Sequence, residues 1–430
     1  MIKIIERKAQ DATASLQRSI ETGTKEQRQA VWDIIEQVKA NGDRALFQLT
    51  HQFDGVQLDT LNVSEEEIQE AYKFVDEETV ETFKQAITNI VQFHEKQKRE
   101  SWMYSNPNGT KLGMKLRPLQ RVGLYVPGGT AALLSSVLMT AIPAQVAGVQ
   151  QLVLTTPPSK TGKVAPTVLV AADLLGIREI YSVGGAQAIA ALAYGTETIK
   201  GVDKIVGPGN IYVALAKREV FGTVDIDMIA GPSEIVVLAD EQQNPAYIAA
   251  DLLSQAEHDV LASAICVTTS KELAQDVQAE LVKQVQKLPR REIALKALEQ
   301  HGAIYVTETL EEALDIVNQL APEHLELMVE EPFELLDSIH HAGAVFLGEY
   351  SSEPVGDYFA GPNHVLPTNG SARFSSPLNV DDFMKKSSII AYSKQDLMEN
   401  ADKIMRIARF EELEGHAQAI QIRLEQSSKD

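Results

Sequence analysis

The sequence predicts an α/β protein with two domains of repeated βα units around parallel sheets and helical extensions at both ends. Three observations predict it. From Arg121 onward, short apolar runs alternate with helix-length stretches whose apolar residues recur at three- and four-residue spacing. Three glycine-bearing turns each fall between such a run and such a helix: PGG at 127–129, GGAQA at 184–188 and GPGN at 207–210. At 430 residues the chain exceeds one ordinary domain, and its 44% apolar and 23% charged content suits real cores.

The first hundred residues read as helical. Residues 26–40 and 64–75 carry the helical spacing, and a long charged pattern runs from 77 to about 99. Residues 122–126, 152–155, 179–183 and 204–206 are then strand-like, separated by helical stretches at 131–146, 165–175 and 188–194. After GPSE at 231–234 the alternation resumes, with strands expected at 234–239, 262–268, 303–306 and 344–347 and helices at 245–256, 271–287 and 310–320. Strands and helices alternating at these lengths build βαβ units, so two Rossmann-like domains are expected. The last fifty residues look helical and separate, most clearly at 403–423. The expected division is an N-terminal helical extension (1–22), a discontinuous first domain (23–120 plus 235–377), a second domain (121–234) and a C-terminal helical extension (378–430).

The chain holds 39 Lys and Arg against 60 Asp and Glu, a formal charge of −21. Such a surface repels phosphate backbones and anionic lipid, so nucleic acid and membranes are poor partners. No apolar run approaches the length a bilayer requires. The opening MIKIIERKAQDA turns charged at once, without the apolar centre of a signal peptide, and a cytoplasmic location is expected. The single cysteine, Cys266, sits in SAICVTTS, a β-branched run that reads as a buried strand. One cysteine excludes an intrachain disulfide and a thiolate zinc cluster, and a buried strand thiol is more often packing than nucleophile.

Four segments concentrate polar chemistry. In SQAEHD, Gln255 and His258 are three apart and share a helical face, so they could hold one metal, although two-ligand spacing is common by chance. In APEHL, Pro322 precedes Glu323 and His324, an acid and an imidazole suited to general acid–base work or, equally, to a solvated Glu beside a capping His. The stretch YSSEPVGDYFAGPNHVLPT at 350–368 has no period and carries Asp357, Asn363 and His364; its length favours a functional loop. In EELEGH, Glu411 and His416 are five apart, about 140° around an ideal helix, and can converge only if the helix breaks, for which Gly415 offers a place; taken alone, the segment reads rather as a solvated, charge-rich terminal helix. Imidazole, amide and carboxylate without sulfur suit zinc or manganese. None of the three glycine turns fits the G-x-G-x-x-G fingerprint, and taken alone they are better explained by steric need.

RVGLYVPGGTA (121–131), GGAQAIAALAYGT (184–196), VDKIVGPGN (202–210), AGPSE (230–234), DLLSQAEHD (251–259), PEHLE (322–326), GDYFAGPNHVLPT (356–368) and the final EGH together resemble histidinol dehydrogenase along nearly the whole chain. The resemblance implies a four-electron oxidation of L-histidinol through L-histidinal to L-histidine with two NAD⁺, the last steps of histidine biosynthesis. It implies one Zn²⁺ per subunit, held by Gln255, His258, Asp357 and His416. His324 would be the base at both oxidations, and Glu323 would activate the water that hydrates the aldehyde. Ser233, His364 and Glu411 would complete the substrate pocket, while Tyr125, Gln187 and Asn210, in or beside the glycine turns, would contact NAD⁺. The family is dimeric, and Glu411 and His416 would act in the partner's site. A zinc-dependent hydrolase of a small amine or amide could use the same donor set with a metal-bound water, and a non-enzymatic acidic scaffold would fit the composition alone. Only the resemblance separates the first of these from a dehydrogenase.

Overall fold

The computed structural model describes residues 2–6, 23–128 and 134–427. The chain opens on β1 (Lys3–Glu6) and continues through α1 (Lys25–Asp54), α2 (Glu65–Ala71) and α3 (Glu77–Glu95). Thr24 and Ser64 start the first two helices with capping boxes completed by Gln27 and Glu67, and Asp76 caps the third. α1 outruns the expected 26–40: Gly42 interrupts it at φ 52°, and the path resumes until Gly55 ends it in the left-handed region at φ 72°.

Strands β2 (Trp102–Ser105) and β3 (Lys111–Pro118) precede the first βα series: β4 (Arg121–Tyr125), α4 (Leu134–Ala147), β5 (Gln151–Thr156), α5 (Pro166–Leu174), β6 (Glu179–Ser182), α6 (Gly185–Tyr194), β7 (Lys204–Val206), α7 (Ile211–Val220) and β8 (Asp225–Ile226). The second series is β9 (Glu234–Ala239), α8 (Pro245–Ala256), β10 (Ser263–Thr268), α9 (Lys271–Val285), α10 (Arg291–His301), β11 (Ala303–Val306), α11 (Leu310–Leu320), β12 (His324–Met328) and β13 (Ala344–Leu347). β14 (Met384–Ala391), α12 (Lys394–Phe410) and α13 (Glu414–Ser427) end the chain.

Two compact units result, one of Met1–Gln97 and Leu119–Phe383, the other of Lys98–Pro118 and Met384–Asp430. The first holds two parallel sheets, ordered β6-β5-β4-β7-β8 and β1-β11-β10-β9-β12-β13. Counted within each series the order is 3-2-1-4-5, the doubly wound Rossmann order, with β1 added at one edge of the larger sheet. Every residue of β4, β9, β10 and β12 is buried, as a parallel sheet covered on both faces requires.

Several expectations need correction. Residues 3–6 are not helical: Ile4 and Ile5 are β-branched and pair with Ile304 and Tyr305 of β11; residues 7–22 lie outside the described ones. The helices at 25–95 pack chiefly on residues 121–234 rather than 235–377, although α3 also meets 356–365, where Asn89 Nδ2 donates to Phe359 O at 2.9 Å. Ile68, Phe83 and Ile90 share a core with Val122, Leu124 and Leu154. Val31, Ile34 and Leu46 share one with Ile189, Leu192 and Val213. These helices therefore cover the five-stranded layer. The C-terminal extension is not wholly helical either, because β14 pairs antiparallel with β3 from Met384↔Pro118 to Ala391↔Lys111.

In the second unit the helix breaks, but not at Gly415, which lies inside α13. Glu412 takes φ 60°, Leu413 N–H donates to Ala408 O (2.8 Å) and Glu412 N–H to Arg409 O (3.0 Å). That is a Schellman end, and α13 then packs back through Ala417 onto Ala401 and Met405 of α12.

Candidate active site

The densest polar cluster of the first unit lies at the N-terminal edge of the six-stranded sheet, where β9 and β12 begin side by side. α11 ends at Ala321, a buried non-glycine residue at φ 48° and ψ 59°. This left-handed residue costs about 1 kcal/mol or more, and with Pro322 it turns the chain so that Glu323 and His324 enter β12 against Glu234 of β9. Glu234 N–H donates to Glu323 Oε2 at 2.9 Å, and His324 Nδ1 lies 3.0 Å from Glu234 O. A carbonyl only accepts, so Nδ1 carries a proton, and when the ring is neutral its lone pair lies on Nε2.

The same device recurs twice. His258 Nδ1 is 2.8 Å from Ser254 O, and His364 Nδ1 is 3.2 Å from Asp357 O. Three imidazoles thus have Nδ1–H tied to backbone carbonyls and Nε2 left as the acceptor atom, the arrangement that prepares a histidine as base or metal ligand. Asp357 rides on a π-helical turn, Gly356–Ala360, that follows the short helix Glu353–Val355; such turns are frequent at functional sites. Its Oδ1 is 3.6 Å from His324 Nε2 and its Oδ2 is 3.9 Å from His364 Nδ1. Ligand atoms of His324, Glu353 and Asp357 all lie within 4.8 Å of one another.

Burial and crowding set the charges. Burial pushes the Glu323 carboxyl up to about 8. Burial alone would lower His324, but the Glu323, Asp357 and Glu353 carboxylates outweigh it and push the imidazole up to about 10. Burial alone would raise Asp357, yet the His324 and His364 imidazoles hold it below its ordinary value. Burial lifts Glu353 to about 8 and Glu326 to about 9.

This crowding of carboxylates around imidazoles fits a bound cation, and so do three other features. Gln255 Oε1 and His324 Nε2 are buried with no hydrogen-bond partner among the described residues, so each is a polar atom awaiting a ligand. Gln255 and His258 stand at the C-terminal end of α8, the electronegative end of its dipole. The donors are nitrogen and oxygen only, as zinc in an open site accepts. A cavity of about 660 Å³ adjoins Asp357, lined mostly by apolar groups such as Phe346, Val355, Leu366 and Leu378.

The glycine turns lie elsewhere, at the carboxyl edge of the five-stranded sheet. Tyr125 ends β4 and Gly207 follows β7, the strand pair at which the winding reverses, where α/β proteins bind ligands. Side chains at Gly128 and Gly184 would both strike Pro157, and one at Gly207 (φ 121°) would strike the Tyr125 carbonyl. The turns are therefore tight, and the packing around them requires glycine. Tyr125 is buried, its hydroxyl accepting Gly185 N–H at 3.0 Å. Gln187 is buried in the first turn of α6. Asn210 is exposed and caps α7, its Oδ1 accepting Tyr212 N–H at 3.0 Å and Val213 N–H at 3.2 Å. Gly129 of the first turn lies outside the described residues.

Of the sequence-predicted residues, Glu323, His324, Asp357 and His364 come together, with Gln255 and His258 on the adjoining helix end. Ser233 precedes β9, its carbonyl accepting Ser263 N–H at 2.9 Å. Glu411 and His416 belong to the second unit, both exposed. Asn363, flagged in the same loop, braces the fold. Pro143 has no N–H for Met139 O, and Asn363 Nδ2 donates to that carbonyl at 2.6 Å.

Sequence reasoning missed Glu353, Glu326 and Asp251. Ser254 Oγ donates to Glu353 Oε2 at 3.1 Å, and Glu353 N–H donates to Glu326 Oε1 at 2.8 Å. A signal for Glu326 existed: an acid two residues after His324 in an otherwise apolar parallel strand shares its face. Cys266 is fully buried in β10, its thiol pushed up to about 12 by burial. Cys266→Ala is accordingly expected to keep turnover within about twofold; a loss beyond about a hundredfold in folded protein would reopen covalent thiol chemistry.

The family model described as histidinol dehydrogenase matches residues 17–424. The chain is 64% identical over 413 residues to the histidinol dehydrogenase of Halalkalibacterium halodurans, covering 96% of this chain and 97% of that one. It is 62% identical over 415 residues to that of Bacillus subtilis, with 96% and 97% covered. The crystal structure of histidinol dehydrogenase from Elizabethkingia anophelis superposes with a TM-score of 0.95 at 39% identity, covering 99% of each chain. A match of this extent in sequence and fold, with the hydrolase alternative not favoured by any of it, places the chain in the histidinol dehydrogenase family of oxidoreductases.

Proposed function

We propose that the chain oxidises L-histidinol through L-histidinal to L-histidine with two NAD⁺, the closing steps of histidine biosynthesis. The observation that carries the reading is the His324 imidazole, fixed by Glu234 with Nε2 turned into a carboxylate-rich site beside a second buried carboxyl, Glu323. Gln255, His258 and Asp357 would hold Zn²⁺ together with the partner subunit's His416, in a homodimer with shared sites. When bound, zinc supplies a fixed charge that orients the substrate's nitrogens, and NAD⁺ supplies the two-electron acceptor for each oxidation.

The chain's own groups do the rest. His324 Nε2 takes the alcohol proton as the first oxidation proceeds. Glu323, its carboxyl raised by burial, takes a proton from the water that adds to the aldehyde while His324 returns its proton to the carbonyl oxygen. His324 then takes the hydrate's hydroxyl proton in the second oxidation. Hydration makes a thiol unnecessary, in keeping with the inert Cys266. Ser233, His364 and the partner subunit's Glu411 would line the substrate. Tyr125, Gln187 and Asn210 would border NAD⁺, Tyr125 and Asn210 chiefly by shaping the glycine turns. A cytoplasmic location suits this biosynthetic role, and among the described residues no helix is long and apolar enough to cross a membrane.

The test is to follow NADH with purified protein, zinc, NAD⁺ and L-histidinol while counting histidine. Two NADH per histidine, abolished by a chelator and restored by zinc, is the expected result. No NADH from folded, zinc-loaded protein would sink the dehydrogenase reading.

A further inference from the structure

The turn at the five-stranded sheet's winding reversal is held by an unusual device. Gly207 N–H donates to Asp227 Oδ2 at 2.8 Å, and Gly207 O accepts Lys217 Nζ at 2.9 Å. Lys217 and Asp227 are themselves in direct contact, with side chains only 2% and 1% exposed. Asp227 follows β8 and also accepts Met228 N–H at 2.7 Å, while Lys217 reaches back from the last turn of α7. Both polar groups of a single glycine are thus gripped by the two members of one buried ion pair.

Stability alone does not explain it. Taking an ammonium and a carboxylate out of water is expensive, and well-packed apolar residues often replace such pairs without loss. What the pair adds is geometry. Gly207 sits at φ 121° with no room for a side chain against Tyr125 O, so sterics leave a glycine here that is free to adopt other conformations. The ion pair removes that freedom. The fixed residue begins the turn leading through Gly209 to the α7 cap at Asn210, and it borders Tyr125, whose hydroxyl holds the Gly185 turn. Lys217 is too buried to touch a ligand, so its charge acts through the backbone.

We propose that Lys217 and Asp227 are positioning residues for the dinucleotide: their ion pair locks the Gly207 peptide, and with it the 207–210 turn, in the form that receives NAD⁺. The inference rests on the reading of this edge as the cofactor's. Preorganisation of this kind lowers the ordering cost of binding. Its loss weakens the cofactor and leaves the substrate cluster, on the other sheet, untouched.

The experiment titrates zinc-loaded, full-length Lys217→Met protein with NADH by fluorescence and with L-histidinol by calorimetry, beside amide exchange of residues 204–212 without ligand. Expected are an NADH Kd raised about tenfold or more, a histidinol Kd within about twofold, faster exchange at the turn, and a KM for NAD⁺ that rises while kcat at saturation holds. If Lys217→Met fails to fold, Asp227→Asn keeps an acceptor for Gly207 N–H and removes only the charge; the same shifts are expected. Unchanged NADH affinity in folded variants, or equal weakening of both ligands, overturns the inference. Wild-type protein that binds histidinol but no NADH overturns the cofactor reading of this edge as well.

Discussion

His324→Gln is expected to lower turnover of histidinol and of histidinal alike by about a thousandfold or more. In the proposed reading both oxidations deliver a hydroxyl proton to the same Nε2, so no half-reaction escapes. The ring is buried, with Nδ1–H bonded to Glu234 O at 3.0 Å, and a Gln amide fills the ring's place as a neutral polar group that ends near Nε2. The amide cannot accept a proton at neutral pH, so the substitution separates proton transfer from packing. Stopped-flow NADH formation from each substrate, with zinc content and melting temperature measured alongside, checks it. Turnover within tenfold of wild type in a zinc-loaded variant would falsify the assignment of His324 as base. Loss of zinc together with activity would instead make His324 part of the metal site, where its 3.6 Å approach to Asp357 already places it nearby.

The sequence carried the doubly wound segments because parallel strands buried on both faces must be nearly continuous apolar runs. Residues 234–239 and 303–306 were legible for that reason. β2, β3 and β14 were not: their residues are largely exposed, and KLGMKLRP and MKKSSIIA lack the apolar run that marks a core strand. Helices α1 to α3 were visible, but which sheet they cover is a tertiary fact. Val31 and Ile34 would suit either layer and meet Ile189 and Val213 only in the fold. In the site, Glu323–His324 and Gln255–His258 are neighbours in sequence and announce themselves. Glu353 meets Asp357 only because a π-helical turn follows a proline-bearing helical turn, and no spacing rule foretells that. The tautomer of each imidazole was also hidden, since it depends on the carbonyls of Glu234, Ser254 and Asp357.

Glu323→Gln should divide the two half-reactions. Oxidation of histidinol to the aldehyde is expected to stay within about threefold of wild type, and conversion of histidinal to histidine to fall by about a hundredfold to ten-thousandfold. That fall corresponds to about 3–5 kcal/mol of activation free energy. The side chain is buried, and Oε2 accepts Glu234 N–H at 2.9 Å. A Gln carbonyl makes the same bond, so the start of β12 and the position of His324 should persist. What disappears is a carboxylate that can take a proton from water. A group raised to about 8 by burial is a stronger base than an exposed Glu, which suits that task near neutral pH. The removed charge also matters, because Glu323 is the largest of the groups that raise His324. Gln at 323 should therefore lower the His324 pKa and leave more of the ring as free base, which works against any loss in the first oxidation. Single-turnover NADH bursts from histidinol and from histidinal separate the outcomes. A full first burst with a slowed second supports the division of labour. Equal loss in both bursts would show that Glu323 serves His324 throughout and does not act on water.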